Sequence, residues 1–355
     1  MSITLREVAE RSQVSISTAS RALNGRTDVS KEVRERVLSA AQDLQYTANH
    51  NARALKGVTS KILGVVLYDA RANTFNAALM RGVYDAATPR GYSVIVCDGG
   101  ASVEAEQEAY QLLLEKRVDG VLVNSGAGGA APLRRLAAAE MPFVVLNRRI
   151  VDAGLDVDYV MIDAERGAYL ATRHLLELGH VRILYQALVP QSVPSLERLP
   201  GYRRALAEFE VPFTPDLIME TRSALEDTYA QITTTMQRSK PRPTGIVAFN
   251  DTHAVAVLKA LHDLGLRVPQ DIAVVGQNNL EYTDFLIPPL TSVAHAVQQM
   301  GRQGTEILLQ KLAWSDEQPW LPHRVALEPV LVVRESSGQS IAKAPARSAR
   351  RGATR

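Results

Sequence analysis

The chain of 355 residues is long enough for two or three domains, and 46% of its residues are hydrophobic, enough to fill their cores. No stretch approaches the roughly 18 consecutive apolar residues of a membrane-spanning helix, and the N-terminus is polar from Thr4 onward, so we expect a cytoplasmic protein without a signal peptide. The net charge of +2 is uneven: residues 1–60 hold nine Lys or Arg against six Asp or Glu, which places any nucleic-acid contact at the N-terminus.

Two short helices joined by a brief polar turn are predicted at the start of the chain. Thr4 and Glu7 form a capping-box pattern that begins the first helix, and Ser15 follows the turn to cap a second helix running to about Leu23. This layout is typical of a helix-turn-helix, whose second helix enters the DNA major groove. An ordinary helical hairpin with a polar face is the alternative interpretation.

The second of these helices carries side chains suited to reading DNA. Its short hydroxyl-bearing side chains can approach base edges, and the guanidinium of Arg21 matches the O6 and N7 acceptors of guanine. Two polar residues just beyond the helix are candidates for phosphate contacts. The predicted DNA contacts of this segment are Thr4, Ser15, Ile16, Ser17, Thr18, Ser20, Arg21, Asn24 and Arg26.

These residues, with the segments after them, carry a resemblance to a known family. Ser30 caps a third predicted helix, Lys31 to about Gln45, and a polar linker follows it. The succession T-L-x-E-V-A, V-S-x-S-T-x-S-R-x-L-N, L-x-Y and N-A-R-A-L resembles the LacI/GalR family of bacterial transcription regulators. The resemblance continues to about Arg334.

The resemblance implies an N-terminal all-α helix-turn-helix DNA-binding domain at 1–47 and a hinge helix with its linker at 48–60. It further implies an α/β two-lobed effector-binding and dimerisation domain at 61–335, with the fold of periplasmic sugar-binding proteins. The tail 336–355 holds five basic and no acidic residues and few large apolar ones, so we expect it to be disordered. The tail either adds weak, salt-sensitive attraction to DNA or has no role.

A switch is predicted at residues 49–56. In the family, a hinge helix pairs with that of a second subunit and wedges a leucine between base steps in the minor groove. A helix this short is unstable alone in water, so we expect it to order only on DNA. The resemblance assigns the wedge to Leu55, and the hinge residues beside it are Asn49, Asn51, Ala52 and Lys56.

From Ile62 onward, strand-like and helix-like patterns alternate, which predicts parallel sheets flanked by helices. Two such sets indicate two similar lobes with a cleft between them, and the resemblance implies three chain crossings, placed near 160, 290 and 321. The predicted strands are 62–68, 93–97, 120–124, 142–147, 159–162, 182–186, 217–220, 245–249 and 272–276. The predicted helices lie near 75–88, 104–116, 132–139, 164–178, 200–209, 227–238, 251–264 and 297–312.

Ligands of open α/β sheets bind at the carboxyl ends of the strands, so residues after each strand are effector-site candidates. They are Asp69, Phe75, Ser125, Asn147, Gln186, Arg198, Arg222, Asn250, Asp251 and Asn278. The resemblance implies that Phe75 lies against the effector and that Arg198, in R-L-P-G-Y, binds effector oxygens. It also implies that Asn250 and Asp251 open a helix at the cleft.

Three positions depart from the family pattern. Asn147, Asn278 and Arg222 stand where many relatives have aspartates. Fewer carboxylates and an added arginine favour an anionic effector, a sugar acid or sugar phosphate, because arginine binds carboxylate and phosphate bidentately. A neutral sugar remains the alternative, with Arg222 paired to Glu220 or Glu226 at the rim.

Other motifs indicate no cofactor, metal or catalytic site. The G-x-G-x-x-A pattern at 126–131 lacks an acidic residue at the end of the next strand, so a βα loop is favoured over a dinucleotide site. The seven histidines show no metal-ligand spacing, and the lone Cys97 cannot form an internal disulfide. The lack of a catalytic pair disfavours an enzyme. A sugar-binding transport component is disfavoured because it would have a signal peptide and no DNA-binding domain.

The sequence as a whole predicts an effector-responsive transcription regulator, most simply a repressor that binds a palindromic operator as a homodimer. A transcription activator, or a global regulator controlled by a partner protein, is the alternative within the same family. The tail lacks an apolar heptad, so a terminal coiled coil that would make tetramers is not expected.

Overall fold

The computed structural model describes residues 3–23, 26, 28–46, 59–68, 74–100, 102–124, 129–150, 154–188, 193–315 and 318–338. Contacts between Cα atoms divide the chain into two compact units, Met1–Ser60 and Lys61–Arg355.

The described residues of the first unit form three helices, α1 (Leu5–Arg11), α2 (Ile16–Leu23) and α3 (Lys31–Asp43). The capping box predicted at Thr4 is present in full: Thr4 Oγ1 accepts from the Glu7 N–H, and the Glu7 carboxylate accepts from the Thr4 N–H. Helix α3 ends two residues before the predicted Gln45, which has a positive φ of 49° and starts the exit turn. The core of this unit consists of Val8, Ala9, Ala19, Ala22, Val29, Val37 and Ala40.

The second unit consists of two lobes, each built on a six-stranded sheet, with strands and helices numbered here in chain order. The sheet of the first lobe is parallel throughout, in the order β11-β5-β4-β3-β1-β2. Its strands are β1 (Ile62–Leu67), β2 (Ser93–Asp98), β3 (Gly120–Asn124), β4 (Phe143–Leu146), β5 (Asp158–Ile162) and β11 (Arg324–Leu327). Its helices are α4 (Thr74–Ala87), α5 (Val103–Glu115), α6 (Leu133–Ala138) and α11 (Val297–Leu312).

The sheet of the second lobe has the order β12-β10-β9-β8-β6-β7 and is parallel except for β12, which runs antiparallel to β10. Its strands are β6 (Ile183–Leu188), β7 (Ile218–Thr221), β8 (Gly245–Val247), β9 (Ala273–Gln277), β10 (Thr291–Ala294) and β12 (Val330–Val332). Its helices are α7 (Ala164–Glu177), α8 (Val193–Glu208), α9 (Leu225–Arg238) and α10 (Asp251–Asp263).

Each sheet is covered by helices on both faces because side chains alternate along its strands. In β1, Leu63 and Val65 face the core beneath α4 and α11, whereas Val66 faces the core beneath α5 and α6. In β6, Tyr185 packs in the core with α7 and α8, and Leu184 packs with α9 and α10. The two-lobed α/β fold predicted from the alternating pattern is confirmed.

The strands and helices predicted from Ile62 onward are present, but the pattern missed β10, β11 and β12, and the hinge helix predicted at 49–56 lies outside the described residues. Strand β10 begins with Thr and Ser, and β11 is a short, partly exposed strand at a sheet edge, so neither gives a long hydrophobic run. Strand β12 is apolar in sequence but has only three residues and lies at the edge of the other sheet. The chain crosses between lobes at residue 163, at 295–296 and at 328–329. The third crossing lies beyond the predicted 321 because the undetected β11 adds one more strand to the first lobe.

Helix α8 begins at Val193, well before the predicted residue 200. Pro200 lies inside this helix, whereas proline in a sequence is expected at the first turn. The additional turns place Arg198 within the helix, one turn before Gly201.

Candidate functional site

The exposed face of α2 presents the residues predicted to contact DNA. Ser15 caps the helix, since its Oγ accepts from the Thr18 N–H at 3.1 Å, and it also lies 2.8 Å from the hydroxyls of Ser17 and Thr18. Ile16 and Arg21 are exposed, whereas Ala19 and Ala22 on the opposite face are buried in the core. The helix therefore presents a hydroxyl cluster, one apolar side chain and one guanidinium to solvent.

Arg21 has a partner that the sequence pattern did not indicate. Its Nη1 lies 3.3 Å from Asp28 Oδ2, in the segment between α2 and α3. Arg26 contributes its backbone to this segment: its N–H donates to the Arg21 carbonyl at 3.1 Å, and its carbonyl accepts from Arg34 Nη2 at 2.5 Å. The Arg26 side chain is exposed, and its phosphate contact stays a prediction.

Thr4 is engaged in the capping box, where its hydroxyl donates to Glu7 Oε2 at 2.8 Å. Its contact with DNA stays a prediction. Several predicted site residues fall outside the described residues. They are Asn24, Asn49, Asn51, Ala52, Leu55, Lys56, Asp69 and Ser125.

In the second unit, the candidate effector site is built around Arg198, of which only 4% is exposed. Its Nη1 donates to the Phe249 carbonyl at 2.6 Å, and its guanidinium lies 4.8 Å from the centre of the Phe249 ring. Its Nε has no hydrogen-bond partner among the described residues. Burial lowers the pKa of Arg198, although nearby Tyr185, Glu197 and Asp251 favour the charged form.

Gly201 allows α8 to approach closely enough to bring Arg198 into position. A Cβ built on Gly201 would lie 1.9 Å from the backbone carbonyl oxygen of Glu165 in α7. No side chain fits between the two helices at this point, which explains in physical terms the glycine that follows Arg198 by three residues.

Gln186 positions Phe249 and thereby Arg198. It is fully buried at the carboxyl half of β6, where its Oε1 accepts from the Phe249 N–H at 3.2 Å. Its Nε2 donates to the hydroxyls of Thr221 and Thr228 at 2.8 and 2.9 Å. All the polar atoms of this amide are engaged, so Gln186 acts as a structural link under the site.

Asn250 and Asp251 begin α10, as predicted, but their side chains contact protein groups. Asn250 Oδ1 accepts from the backbone N–H and from the ring Nδ1 of His253, at 2.9 and 2.8 Å. The buried Asp251 carboxylate accepts from the Leu280 N–H at 2.8 Å and from the Ser292 hydroxyl at 2.6 Å. Burial raises the pKa of Asp251 to about 7 despite these hydrogen bonds. Asp251 therefore holds the segment after β9, and its contact with an effector stays a prediction.

Asn147 and Asn278 follow the carboxyl ends of β4 and β9 and share a backbone feature. Both have positive φ, 62° and 102°, a region that asparagine tolerates better than most residues. Asn278 Oδ1 has no hydrogen-bond partner among the described residues, and Asn278 N–H donates to the Val293 carbonyl at 2.8 Å. These positions offer amide groups and no negative charge.

Arg222 follows β7, the edge strand of the second lobe, and Phe75 lies in α4 of the first lobe. Arg222 is exposed, and its backbone N–H donates to Asp227 Oδ2 at 2.7 Å. Among the described residues, Arg222 forms no ion pair with Glu220 or Glu226. The alternative in which Arg222 is paired with one of these glutamates is therefore not seen. Phe75, on α4, packs against the core of the first lobe.

Two buried histidines near Arg198 were missed by the sequence analysis. The His253 ring lies 5.5 Å from the Phe249 ring, and burial lowers its pKa to about 4. His295 lies at the second crossing between lobes, where its Nε2 is 3.0 Å from Gln277 Oε1 and burial lowers its pKa to about 3. Both rings are therefore neutral at physiological pH. The sequence held one signal for these histidines, which is that His253 lies two residues after the predicted site residue Asp251.

A cavity of about 1090 Å³ lies between the lobes. It is bordered by α4 and α11 of the first lobe and by residues 278–282 of the second, and both Asn278 and His295 line it. Arg81 and Glu281 form an ion pair of 3.1 Å from one lobe to the other beside it. The space is large enough for a sugar-sized ligand.

Within the described residues, no helix is both long enough and apolar enough to cross a membrane. The same residues contain no group of three His, Cys, Asp or Glu side chains arranged to hold a metal ion.

Comparisons with known proteins agree with both units. Residues 4–49 match the family model described as bacterial regulatory proteins, lacI family, and residues 172–337 match the periplasmic binding protein-like domain. The chain is 33% identical over 334 residues to the ribose operon repressor of Haemophilus influenzae, covering 94% of this chain and 98% of that protein. It is 30% identical over 335 residues to the HTH-type transcriptional repressor PurR of Vibrio vulnificus, with the same coverage of both chains.

A solved structure of the Lac repressor dimer, bound to operator and the anti-inducer ONPF, is similar along nearly the whole chain. Its TM-score is 0.83 at 28% sequence identity, and the match covers 95% of this chain and all of that one.

Proposed function

Because the chain belongs to the lacI family of bacterial regulatory proteins, we propose that it is a repressor that binds a palindromic operator as a homodimer under control of a small-molecule effector. Membership makes the chain a DNA-binding transcription regulator with a periplasmic-binding-protein-like effector domain rather than an enzyme. The dimer, the operator contacts and the effector class are the proposed parts.

The operator contacts rest on the exposed face of α2. Ile16, Ser17 and Thr18 at the start of the helix contact base edges, and Arg21 reads a guanine through O6 and N7. Leu55 enters the minor groove at the operator centre, where unstacking costs a few kcal/mol that the contacts of the bent duplex offset. Support comes from the solvent-facing position of α2 in this chain and from the operator-bound dimer of the similar Lac repressor structure.

The homodimer rests on an exposed apolar segment of the second unit. Phe285 is 85% exposed and Ile287 is 95% exposed, in the loop between β9 and β10. Side chains of this size exposed together are typical of a protein interface. A two-fold dimer presents two recognition helices to the two halves of a palindrome, because operator symmetry mirrors protein symmetry.

The effector is an anion with several hydroxyl groups, a sugar acid or sugar phosphate. The observation that carries this class is the buried Arg198, whose Nε has no partner among the described residues. Asp251, the one buried aspartate that the structure describes in this site, is engaged by protein donors. A guanidinium in this environment favours carboxylate or phosphate. Arg222, exposed beside the carboxyl end of β7 and free of Glu220 and Glu226, supplies a second cation.

The hydroxyl groups are recognised by uncharged side chains of the cleft. Asn278 Oδ1 and His295 Nδ1 are buried acceptors without a partner among the described residues. A hydroxyl satisfies such atoms, whereas a carboxylate does not, because only the hydroxyl donates. These two acceptors alone would also suit a neutral sugar, which has hydroxyl groups and needs no second cation, so a neutral sugar is the alternative.

Thermal stabilisation of the full chain separates the two effector classes. Matched neutral sugars, their acids and their phosphates are each titrated against the wild type, Arg222→Asp and Arg238→Asp. Arg238 lies at the end of α9, away from the carboxyl ends of the strands, and serves as the charge-matched control. Stabilisation by an anion alone, lost in Arg222→Asp and kept in Arg238→Asp, supports the proposal. Stabilisation by the neutral sugar in both variants contradicts the anionic class and leaves the family assignment untouched.

A further inference from the structure

Asp28 contacts the arginine to which the proposed function assigns base reading. Arg21 Nη1 lies 3.3 Å from Asp28 Oδ2, and 52% and 55% of the two side chains are exposed. An ion pair this exposed contributes little to folding stability. A carboxylate on the surface that approaches DNA also repels phosphates and so weakens binding. Because Asp28 adds little to stability and opposes DNA binding, a role in sequence recognition would explain its position.

Described residues before and after Asp28 are anchored by contacts within the first unit. The next residue, Val29, is buried in the core of the first unit. Ser30 caps α3 by accepting from the Val33 N–H at 3.4 Å, and Arg34 of α3 donates to the Arg26 carbonyl at 2.5 Å. The carboxylate is therefore attached to a well-anchored point, whereas Arg21 is a long side chain with several rotatable bonds.

The contact leaves the guanidinium able to bind a base. Arginine has five N–H donors; one Nη1 donor faces Asp28, and Nε lies 3.4 Å from the Ser17 carbonyl. No hydrogen bond within the described residues uses Nη2. Guanine O6 and N7 require two donors, and Nη2 with the second Nη1 hydrogen supplies them while Asp28 stays bound.

We propose that Asp28 is a positioning residue for Arg21, which raises discrimination at the base pair that Arg21 reads and weakens binding to DNA of any sequence. The inference rests on the proposed base reading by Arg21. Fixing the guanidinium before DNA binds favours the base contact that matches this orientation, and the negative charge acts on every phosphate alike. The orientation of Arg21 raises discrimination between base pairs, whereas the charge of Asp28 lowers affinity for all DNA. The two effects are measured separately, with specific and random duplexes.

The test uses the full chain and three duplexes. A randomised duplex library is selected with the wild type, and the best duplex is compared with a random duplex and with a single-base-pair variant. The substituted pair is the one whose discrimination Arg21→Ala removes. The proteins are the wild type, Arg21→Ala, Asp28→Asn, Asp28→Glu and Glu35→Gln. Glu35 is the control, because it is an exposed acid in α3 that lies 3.9 Å from Lys31.

We expect Asp28→Asn to lower discrimination about 2- to 5-fold, the factor that corresponds to a contact of this strength. The same variant should bind the random duplex more tightly, with unchanged thermal stability. Asp28→Glu should retain more of the discrimination than Asp28→Asn, and Glu35→Gln should leave discrimination at the wild-type value.

Equal tightening on all three duplexes would overturn the inference, because Asp28 would then act only through its charge. Higher discrimination in Asp28→Asn would also overturn it, since Asp28 would then hold Arg21 away from the base. If Arg21→Ala itself leaves every base preference unchanged, the proposed base reading fails, and that result is distinct from a failure confined to Asp28.

Discussion

Replacing Gly201 by alanine tests how Arg198 is positioned. The added Cβ would lie 1.9 Å from the Glu165 carbonyl oxygen, whereas real Cβ contacts stay above 3.0 Å, so α7 and α8 must separate by at least about 1.1 Å. Overpacking of this kind costs about 1–3 kcal/mol. The helix propensity of alanine returns up to about 1 kcal/mol. We therefore expect a net loss of roughly 0–3 kcal/mol in the free energy of unfolding of the second unit.

The same displacement acts on the effector site. Arg198 lies one turn before Gly201 on α8, and its 2.6 Å hydrogen bond to the Phe249 carbonyl spans from that helix to the end of β8. A shift of about 1 Å exceeds what a hydrogen bond tolerates without weakening. Effector-induced stabilisation should therefore fall more than the stability of the free protein.

Urea unfolding followed by circular dichroism measures the first effect. Thermal stabilisation by whichever sugar, sugar acid or sugar phosphate stabilises the wild type measures the second. Ala207→Ser is the control, because it adds one atom to the exposed side of the same helix. The reasoning is refuted if Gly201→Ala is more stable than the wild type and binds the effector unchanged, since helix propensity alone would then decide the outcome.

Three further predictions concern pH, the dimer and the hinge. The pKa of Asp251 is about 7 in the folded protein against an ordinary 3.8, so its contribution to stability is complete below about pH 4 and is lost as the pH rises through 7. The free energy of unfolding, measured between pH 4 and 8, should therefore depend less on pH in Asp251→Asn than in the wild type. An unchanged pH dependence would show that Asp251 does not cause it. Phe285→Ser combined with Ile287→Ser should raise the dimer dissociation constant more than tenfold in analytical ultracentrifugation, and unchanged dimers would place the interface elsewhere. Leu55→Ala should weaken binding to the selected duplex but not to random DNA, as measured by fluorescence anisotropy with both duplexes. Wild-type affinity of this variant for the selected duplex would contradict the insertion of Leu55 into the minor groove.

Much of the fold follows from local signals in the sequence. The capping boxes and caps at Thr4, Ser15, Ser30 and Asn250 use side chains three residues from the backbone groups they satisfy, so sequence spacing alone predicts them. Buried strands such as Gly120–Asn124 are continuous apolar runs, which indicates a parallel sheet covered on both faces. The family resemblance added the order of the lobes and the position of the effector site.

Strand β10, which the sequence analysis missed, lacks a continuous hydrophobic run. Thr291–Ala294 is buried through its pairing with β9 and β12 rather than through its own hydrophobicity. Its Thr291 hydroxyl donates to the Arg334 carbonyl, and its Thr291 N–H donates to the Ser336 hydroxyl. A strand of this kind depends on distant residues that complete its hydrogen bonds. The pattern of its own four residues therefore does not predict it.

The chain's own sequence therefore determined its elements, its charge distribution and the identity of the side chains offered to DNA and effector. The tertiary structure decided which of those side chains remain available. It engaged both oxygens of Asp251 with Leu280 and Ser292 and placed Asp28 against Arg21. Among the residues that the structure describes, it left Arg198 Nε and Asn278 Oδ1 without partners. These outcomes depend on contacts between atoms brought together only by folding, because whether a polar group is satisfied is set by every neighbour in space and not by its neighbours in sequence.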